Sequence, residues 1–263
     1  MVARCSALVE DLQNAGLKEV SLRYPVLLRV LGALFVAQFV VLGWSPVSRP
    51  TWALENGLSV ALIAVLVASH RAFPLSRLSY LLLFAFLTLH EIGAHYTYSL
   101  VPYDDLGRRL FGVSPNEALG LERNHYDRLV HFCYGLCFAY PIRELFLRIT
   151  DVRGVWGYLL PLDVTMSTSM IYELIEWGAA IAFGGEVGQS YLGTQGDEWD
   201  AHADMALATL GAIVTISITF AVNFALRRDF ARELAESVRV KHPEPLGEEA
   251  LERILDGRDG AGG

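Results

Sequence analysis

Four short runs of this chain concentrate the residue types that do acid–base and metal chemistry. They are His90-Glu91-Ile92-Gly93-Ala94-His95-Tyr96-Thr97-Tyr98, Arg123 to His131, Tyr172-Glu173-Leu174-Ile175-Glu176-Trp177, and Thr194 to Asp204. Their spacing is helical. Glu91 and His95 are four apart, as are Asp127 and His131, and Asp200 and Asp204, while Glu173 and Glu176 are three apart. Side chains three or four residues apart share a helix face, so each run offers a pair of ligands in one direction. Six carboxylates and two imidazoles brought together repel unless they take up protons, pair with Arg123 and Arg128, or hold a cation. Facing helices that each contribute a carboxylate or a histidine follow the ligand logic of di-metal bundles. Those use Glu-x-x-His, and the i, i+4 spacing here departs from that pattern. The departure leaves zinc, magnesium or manganese as the expected divalent ion.

The elements that must position these residues are membrane helices. Hydrophobic residues make up 53% of the 263 and charged residues only 19%, and the mean hydropathy is +0.35. A soluble protein carries about 25% charged residues. Net charge −8 excludes the basic stripe of a nucleic-acid binder. A bilayer core needs about 20 apolar residues per helix, and six segments satisfy this: 26–44, 52–69, 78–97, 128–149, 156–183 and 201–226. The fold class is all-α, a bundle of six transmembrane helices. Residues 1–25 form an N-terminal cytoplasmic segment without a signal peptide's apolar stretch, residues 26–226 the membrane domain, and 227–263 a cytoplasmic tail. Arg227 to Val240 and Leu246 to Leu255 read as amphipathic helices, and Gly257 to Gly263 as loose.

Orientation follows from the excess of basic residues on the cytoplasmic side. With the N-terminus inside, the inner segments hold Lys18, Arg23, Arg29, Arg71, Arg77, Arg143, Arg148, Arg153, Arg227, Arg228 and Arg232. The outer ones hold Arg49, Arg108, Arg109, Arg123 and Arg128. Both termini are therefore expected in the cytoplasm, and all four polar runs reach the outer half of the membrane. An ionisable residue in hydrocarbon costs at least ~2.5–3.5 kcal/mol unless it meets a partner or a wet cavity, so these residues should converge inside the bundle. Simpler roles compete: Asp127, Asp197 and Asp200 as helix caps, the tyrosines and tryptophans as an interfacial belt, Cys133 and Cys137 as small packing residues. Asp163 invites pairing with Arg143.

The expected roles are these. Metal ligands come from His95, His131, Glu176, Asp204 and Glu91. Glu173 serves as general base, with Asp127 and Asp200 orienting the reacting groups. Arg123 meets an anionic headgroup, while Tyr96 and Tyr126 pack on its acyl or prenyl part. Loops 98–127 and 184–199 roof the site. No Gly-x-Gly-x-x-Gly or Walker loop is present, so no nucleotide cofactor is expected. Nor is there a serine-hydrolase elbow or a His-Glu-x-x-His motif.

His95 to Tyr98, Arg123 to Arg128, Tyr172 to Trp177 and Thr194 to Asp200 together resemble the YjdF family of bacterial inner-membrane proteins, over roughly residues 30–226. The resemblance implies a multi-pass inner-membrane protein and leaves the chemistry to the residues. Asp127-Arg128-Leu129-Val130-His131-Phe132 and Asp204 to Gly211 are similar, more weakly, to VanZ-like proteins. Arg128 stands there where that pattern has Lys, and Ala208 where it has Asn. This similarity implies work at the cell envelope. Two functions fit: a metal-dependent hydrolase or transferase acting on a lipid or lipid-linked envelope molecule, or an ion- or proton-coupled transport protein. A polar network that only holds the bundle together is the third reading.

Overall fold

The computed structural model describes residues 25–192, 194–226 and 230–240, and among them every regular element is helical. In chain order these are α1 (Pro25–Trp44), α2 (Arg49–Ser69), α3 (Arg77–His95), α4 (Tyr103–Phe111), α5 (Pro115–Leu119), α6 (Tyr126–Ile149), α7 (Trp156–Phe183), α8 (Gly185–Leu192), α9 (Asp200–Leu226) and α10 (Phe230–Ser237). Each of the six expected segments lies on a long helix, with ends shifted by a few residues. Local sequence sets those ends. The Ser48 hydroxyl accepts from Thr51 N, with proline in the first turn of α2. Ser76 caps α3 by accepting from Ser79 N. Gly112 and Gly120 end α4 and α5 in the left-handed conformation.

Among the described residues, four helices are long and apolar enough to cross a membrane by length and composition: α1, α2, α3 and α9. Two further long helices, α6 and α7, are richer in charged residues, and α6 lies at the middle of the packing. It contacts α3, α7 and most extensively α9. The α6–α9 contact is close because both helices present small residues. A Cβ on Gly135 would lie 1.8 Å from the Ala208 carbonyl oxygen, and one on Gly211 2.0 Å from that of Phe132. Small residues let membrane helices approach backbone to backbone. Thr215 Oγ1 adds a hydrogen bond to the Leu136 carbonyl, 2.6 Å. One and two turns from Gly135, towards the helix start, lie His131 and Asp127.

At the other end of the bundle, Ala139, Tyr158, Ala212, Ile216 and Phe230 form an apolar cluster. The part of the expected 227–240 helix that is described, α10, docks there. Phe230 is buried, and Ser237 Oγ and Glu233 Oε1 accept from Val155 N and Gly154 N. Arg143 stacks over the Tyr158 ring at 4.7 Å, and no ion pair joins it to Asp163 among the described residues. Residues 1–24, Leu246 to Leu255 and Gly257 to Gly263 lie outside the described part.

Candidate functional site

On α6, Asp127, Val130, His131, Tyr134 and Phe138 recur at helical spacing along one wall of a cavity of about 300 Å³. Leu58, Ser59 and Leu62 of α2, Phe86 and His90 of α3, and Thr168, Ile171, Tyr172 and Ile175 of α7 close it. Its body is apolar and aromatic. Its polar groups gather at the Asp127 end, where α2 and α9 begin and α3 and α7 finish.

There the close approach of α9 to α6, Gly135 against Ala208 and Gly211 against Phe132, brings Asp204 to His131. Asp127, His131 and Asp204 each offer one ligand atom, all within 4.8 Å of one another. His131 Nε2 lies 3.7 Å from Asp127 Oδ1 and 3.5 Å from Glu173 Oε1 of α7. Asp204 is 2% exposed, and its Oδ1 and the Oε1 of Glu173 have no hydrogen-bond partner among the described residues. A buried carboxylate without donors is costly unless it is protonated or meets a cation. Ligand atoms around an ion with bonds of ~2.1 Å sit about 3.4 Å apart. The three groups need only small side-chain movements to reach that spacing, so they fit a divalent ion.

Above this cluster two arginines and two aspartates tie the loops together. Arg123 donates to the Thr194 carbonyl at 2.5 Å, to Asp197 Oδ2 at 3.1 Å and to Asp200 Oδ1. Arg128 reaches Asp197 Oδ2 at 2.5 Å and Asp200 Oδ1 at 3.6 Å. The Asp197 carboxyl, outside the helices, is held below its usual range by the Trp199 backbone N–H and by both guanidinium groups.

A second polar layer lies on the α2 side. The His90 Nε2–H donates to the Glu55 carbonyl at 3.2 Å, so Nδ1 is free to accept from the Tyr98 hydroxyl at 2.5 Å. The Tyr172 hydroxyl donates to Glu55 Oε2 at 3.1 Å. Holding Tyr98 there requires left-handed backbone at Thr97 and Tyr98, φ 51° and 53°. It also requires glycine at position 93, where a Cβ would fall 2.5 Å from the Tyr98 ring. Strain of this kind persists where the surroundings enforce it.

The expected site residues thus separate. Asp127, His131, Glu173 and Asp204 come together. Glu176 is buried one turn from Glu173, within charge–charge range of Asp127, Glu55 and Glu173. Asp200 belongs to the arginine lattice. His95 stands apart: its Nδ1–H donates to the Leu42 carbonyl of α1 at 2.7 Å. At 100° per residue His90 and His95 point about 140° apart, and it is His90 that faces the cavity. Glu91 is fully buried, with neither carboxylate oxygen partnered among the described residues, and does not line the cavity. Arg123 is spent on the loops. Tyr96 and Tyr126 pack in an aromatic cluster with Tyr98, Val101 and Val130, and the Tyr126 hydroxyl bonds the Leu89 carbonyl at 2.9 Å. The tyrosines that do line the cavity are Tyr98, Tyr134 and Tyr172. Sequence reasoning missed Glu55 as a site residue. Its signal was present, a lone carboxylate in an otherwise uncharged span.

Comparison with known proteins agrees with this architecture. The inner membrane protein YjdF of Escherichia coli (strain K12) is 37% identical over 193 residues, 73% of this chain and 88% of the relative. No solved structure matches the chain. With several helices able to span a bilayer, the chain is a multi-pass protein of the inner membrane. Residues 27–224, which include the whole of the cavity and the carboxylates near it, match the family described as "Predicted membrane protein (DUF2238)", and the chain belongs to that family.

Proposed function

We propose that this protein is a six-span membrane enzyme with both termini in the cytoplasm, and that Asp127, His131 and Asp204 hold a divalent ion at its outer face. The reaction is hydrolysis or transfer on a lipid or lipid-linked envelope molecule. One observation carries the reading: a buried Asp204 oxygen, unpartnered among the described residues, on a group within 4.8 Å of Asp127 and His131, which line the polar end of an apolar cavity. The six-span topology is supported by the lengths of α6 and α7, 24 and 28 residues. At 1.5 Å per residue these reach about 36 and 42 Å, enough for a bilayer core of ~30 Å. Of their charged residues, Asp127, Arg128, Glu144, Glu173 and Glu176 are buried or half-buried in the bundle, and Arg148 and Asp163 are exposed.

A bound cation supplies Lewis acidity towards a water or a phosphoryl or acyl oxygen. Glu173, whose Oε1 has no donor among the described residues, is placed to take a proton from the attacking group and later return it. Tyr172 and the Glu55–His90–Tyr98 layer fix the wall on the α2 side. Asp200 neutralises Arg123 and Arg128 and holds the loops over the site.

Metal analysis of the detergent-purified protein, beside Asp204→Asn and His131→Ala, tests the assignment. Stoichiometric zinc, manganese or magnesium in the wild type, lost from both variants, is the expected result. A metal-free wild type whose melting ignores chelator sinks it. That outcome would favour a proton-coupled role, for which the Tyr98–His90 and Tyr172–Glu55 side-chain hydrogen bonds supply two starting pairs. Reporter fusions after residue 240 and within 70–77 should read cytoplasmic, and those in 104–120 and 185–195 external. An external C-terminus would overturn the orientation.

A further inference from the structure

The cavity has a side door. α2 and α7 both line it, yet they make no extended contact with each other. They meet at the Tyr172–Glu55 hydrogen bond, and α8 packs against both near that end. A Cβ on Gly188 of α8 would lie 2.7 Å from the Ala180 carbonyl of α7, so the lintel is tightly built. Below it the cavity wall is made of side chains that also face outwards. Leu58 of α2 is 44% exposed, and Ile171 and Ile175 of α7 are 49% and 41% exposed. In a bilayer these three meet lipid. A buried core wall has no reason to be open on that flank, whereas an entrance for a hydrocarbon chain has.

From this geometry we infer that the substrate is a single-chain amphiphile resident in the outer leaflet. It enters sideways between α2 and α7 and lies with its tail in the cavity and its head at Asp127, His131 and Asp204. Volume limits the tail to one chain. About 300 Å³ holds roughly ten groups of the ~30 Å³ that a water-sized unit occupies. Depth agrees: from Asp127 to Phe138 the cavity follows α6 for eleven residues, about 16 Å at 1.5 Å each. Two acyl chains side by side would need twice that volume. Aromatic side chains at Phe86, Tyr134 and Phe138 close the far end, so the tail stops inside the bundle and does not pass through it. The head must carry an oxygen able to share the divalent ion, as a phosphate or carboxylate ester does. A solute arriving from water would instead have to part the Arg123–Asp197–Arg128 lattice.

This inference rests on the proposed metal site for the head and on the cavity alone for the tail. A long-chain alkyl phosphate with a terminal diazirine, and a diacyl phosphatidylcholine carrying the same diazirine, are photolysed with the full-length protein in nanodiscs. Labelled peptides and bound metal are read from the same samples. The single-chain probe should label the α6 segment around Tyr134 and Phe138. The diacyl probe should label outward-facing positions such as those of α1. Leu58→Trp and Ile171→Trp, both at half-exposed positions, should cut cavity labelling about tenfold, the scale on which apolar pockets reject excess bulk, and leave labelling of α1 unchanged. Absence of cavity labelling by the single-chain probe, equal cavity labelling by the diacyl probe, or labelling indifferent to both tryptophans overturns the inference. Cavity labelling in a protein without stoichiometric metal retires the metal assignment and keeps the side door. Metal without cavity labelling does the reverse.

Discussion

At one end of α6, Glu144 accepts from the Ser76 backbone N–H at 2.8 and 3.0 Å, from Ser79 Oγ at 2.6 Å and from Arg148 at 2.7 Å. At the other end, Asp127 shares its surroundings with His131, Glu173 and Asp204, and two of those carboxylates have an oxygen without any donor among the described residues. Both ends place carboxylates inside a helical bundle. The Glu144 carboxylate joins the cap of α3 to α6, and Arg148 continues to the Pro74 carbonyl at 2.6 Å. Every partner of Glu144 belongs to the chain, which makes it a structural brace. The Asp127 end gathers more acceptors than its neighbours can satisfy. Buried polar groups are overwhelmingly partnered in native proteins, so concentrated exceptions at one end mark where a proton or a cation completes the structure.

The largest expected effect tests what makes that concentration possible. Gly135→Leu drives a side chain into the Ala208 carbonyl and should destabilise the bundle by about 3 kcal/mol or more, with loss of any bound metal. A Gly135→Leu protein with unchanged melting temperature would mean that α6 and α9 do not need their close approach. Next in size is the ligand effect. A metal that binds only the folded protein, at a hundred times its dissociation constant, stabilises it by about 2.7 kcal/mol, so chelator should lower the wild-type melting temperature. Asp204→Asn should be insensitive to chelator and melt higher than chelated wild type, because it removes one of the crowded charges. If Asp204→Asn melts lower than chelated wild type, the carboxylates at the Asp127 end are braces like Glu144.

Glu144→Leu is the counterpart at the opposite end of α6. It strands the Ser76 N–H and should cost about 1–3 kcal/mol without altering metal content. A change in metal stoichiometry would erase the distinction between the two ends. The smallest effect concerns Asp197. Its folded pKa is depressed, so its contribution is fully present above the ordinary aspartate range and is lost as pH falls through the lowered value. Hydrogen exchange of residues 194–200 should therefore stay protected at neutral pH and open only in acid, whereas Asp197→Asn should open the loop at neutral pH. Protection in that variant equal to wild type would show that the arginine lattice does not hold the loop.

Composition and apolar run length were enough to read an all-α membrane protein with several helices able to span, because partitioning into hydrocarbon depends on local hydropathy. Helical spacing likewise paired Asp127 with His131, since residues four apart share a face on any helix. Spacing within one helix says nothing about which face meets which neighbour. It could not tell that His95 turns to α1 while His90 turns to the cavity, or that Arg123 is bound up in the loops. Glu55 was visible as a charge out of place, but its tie to Tyr172, 117 positions away, exists only once α2 and α7 are set side by side. That Asp127, His131, Glu173 and Asp204 are the ones that meet, out of the eight residues expected to converge, was decided by tertiary structure. It depends on two glycines, Gly135 and Gly211, whose missing side chains let α6 and α9 touch, and a missing side chain carries no signal of what fills its place until the two backbones meet.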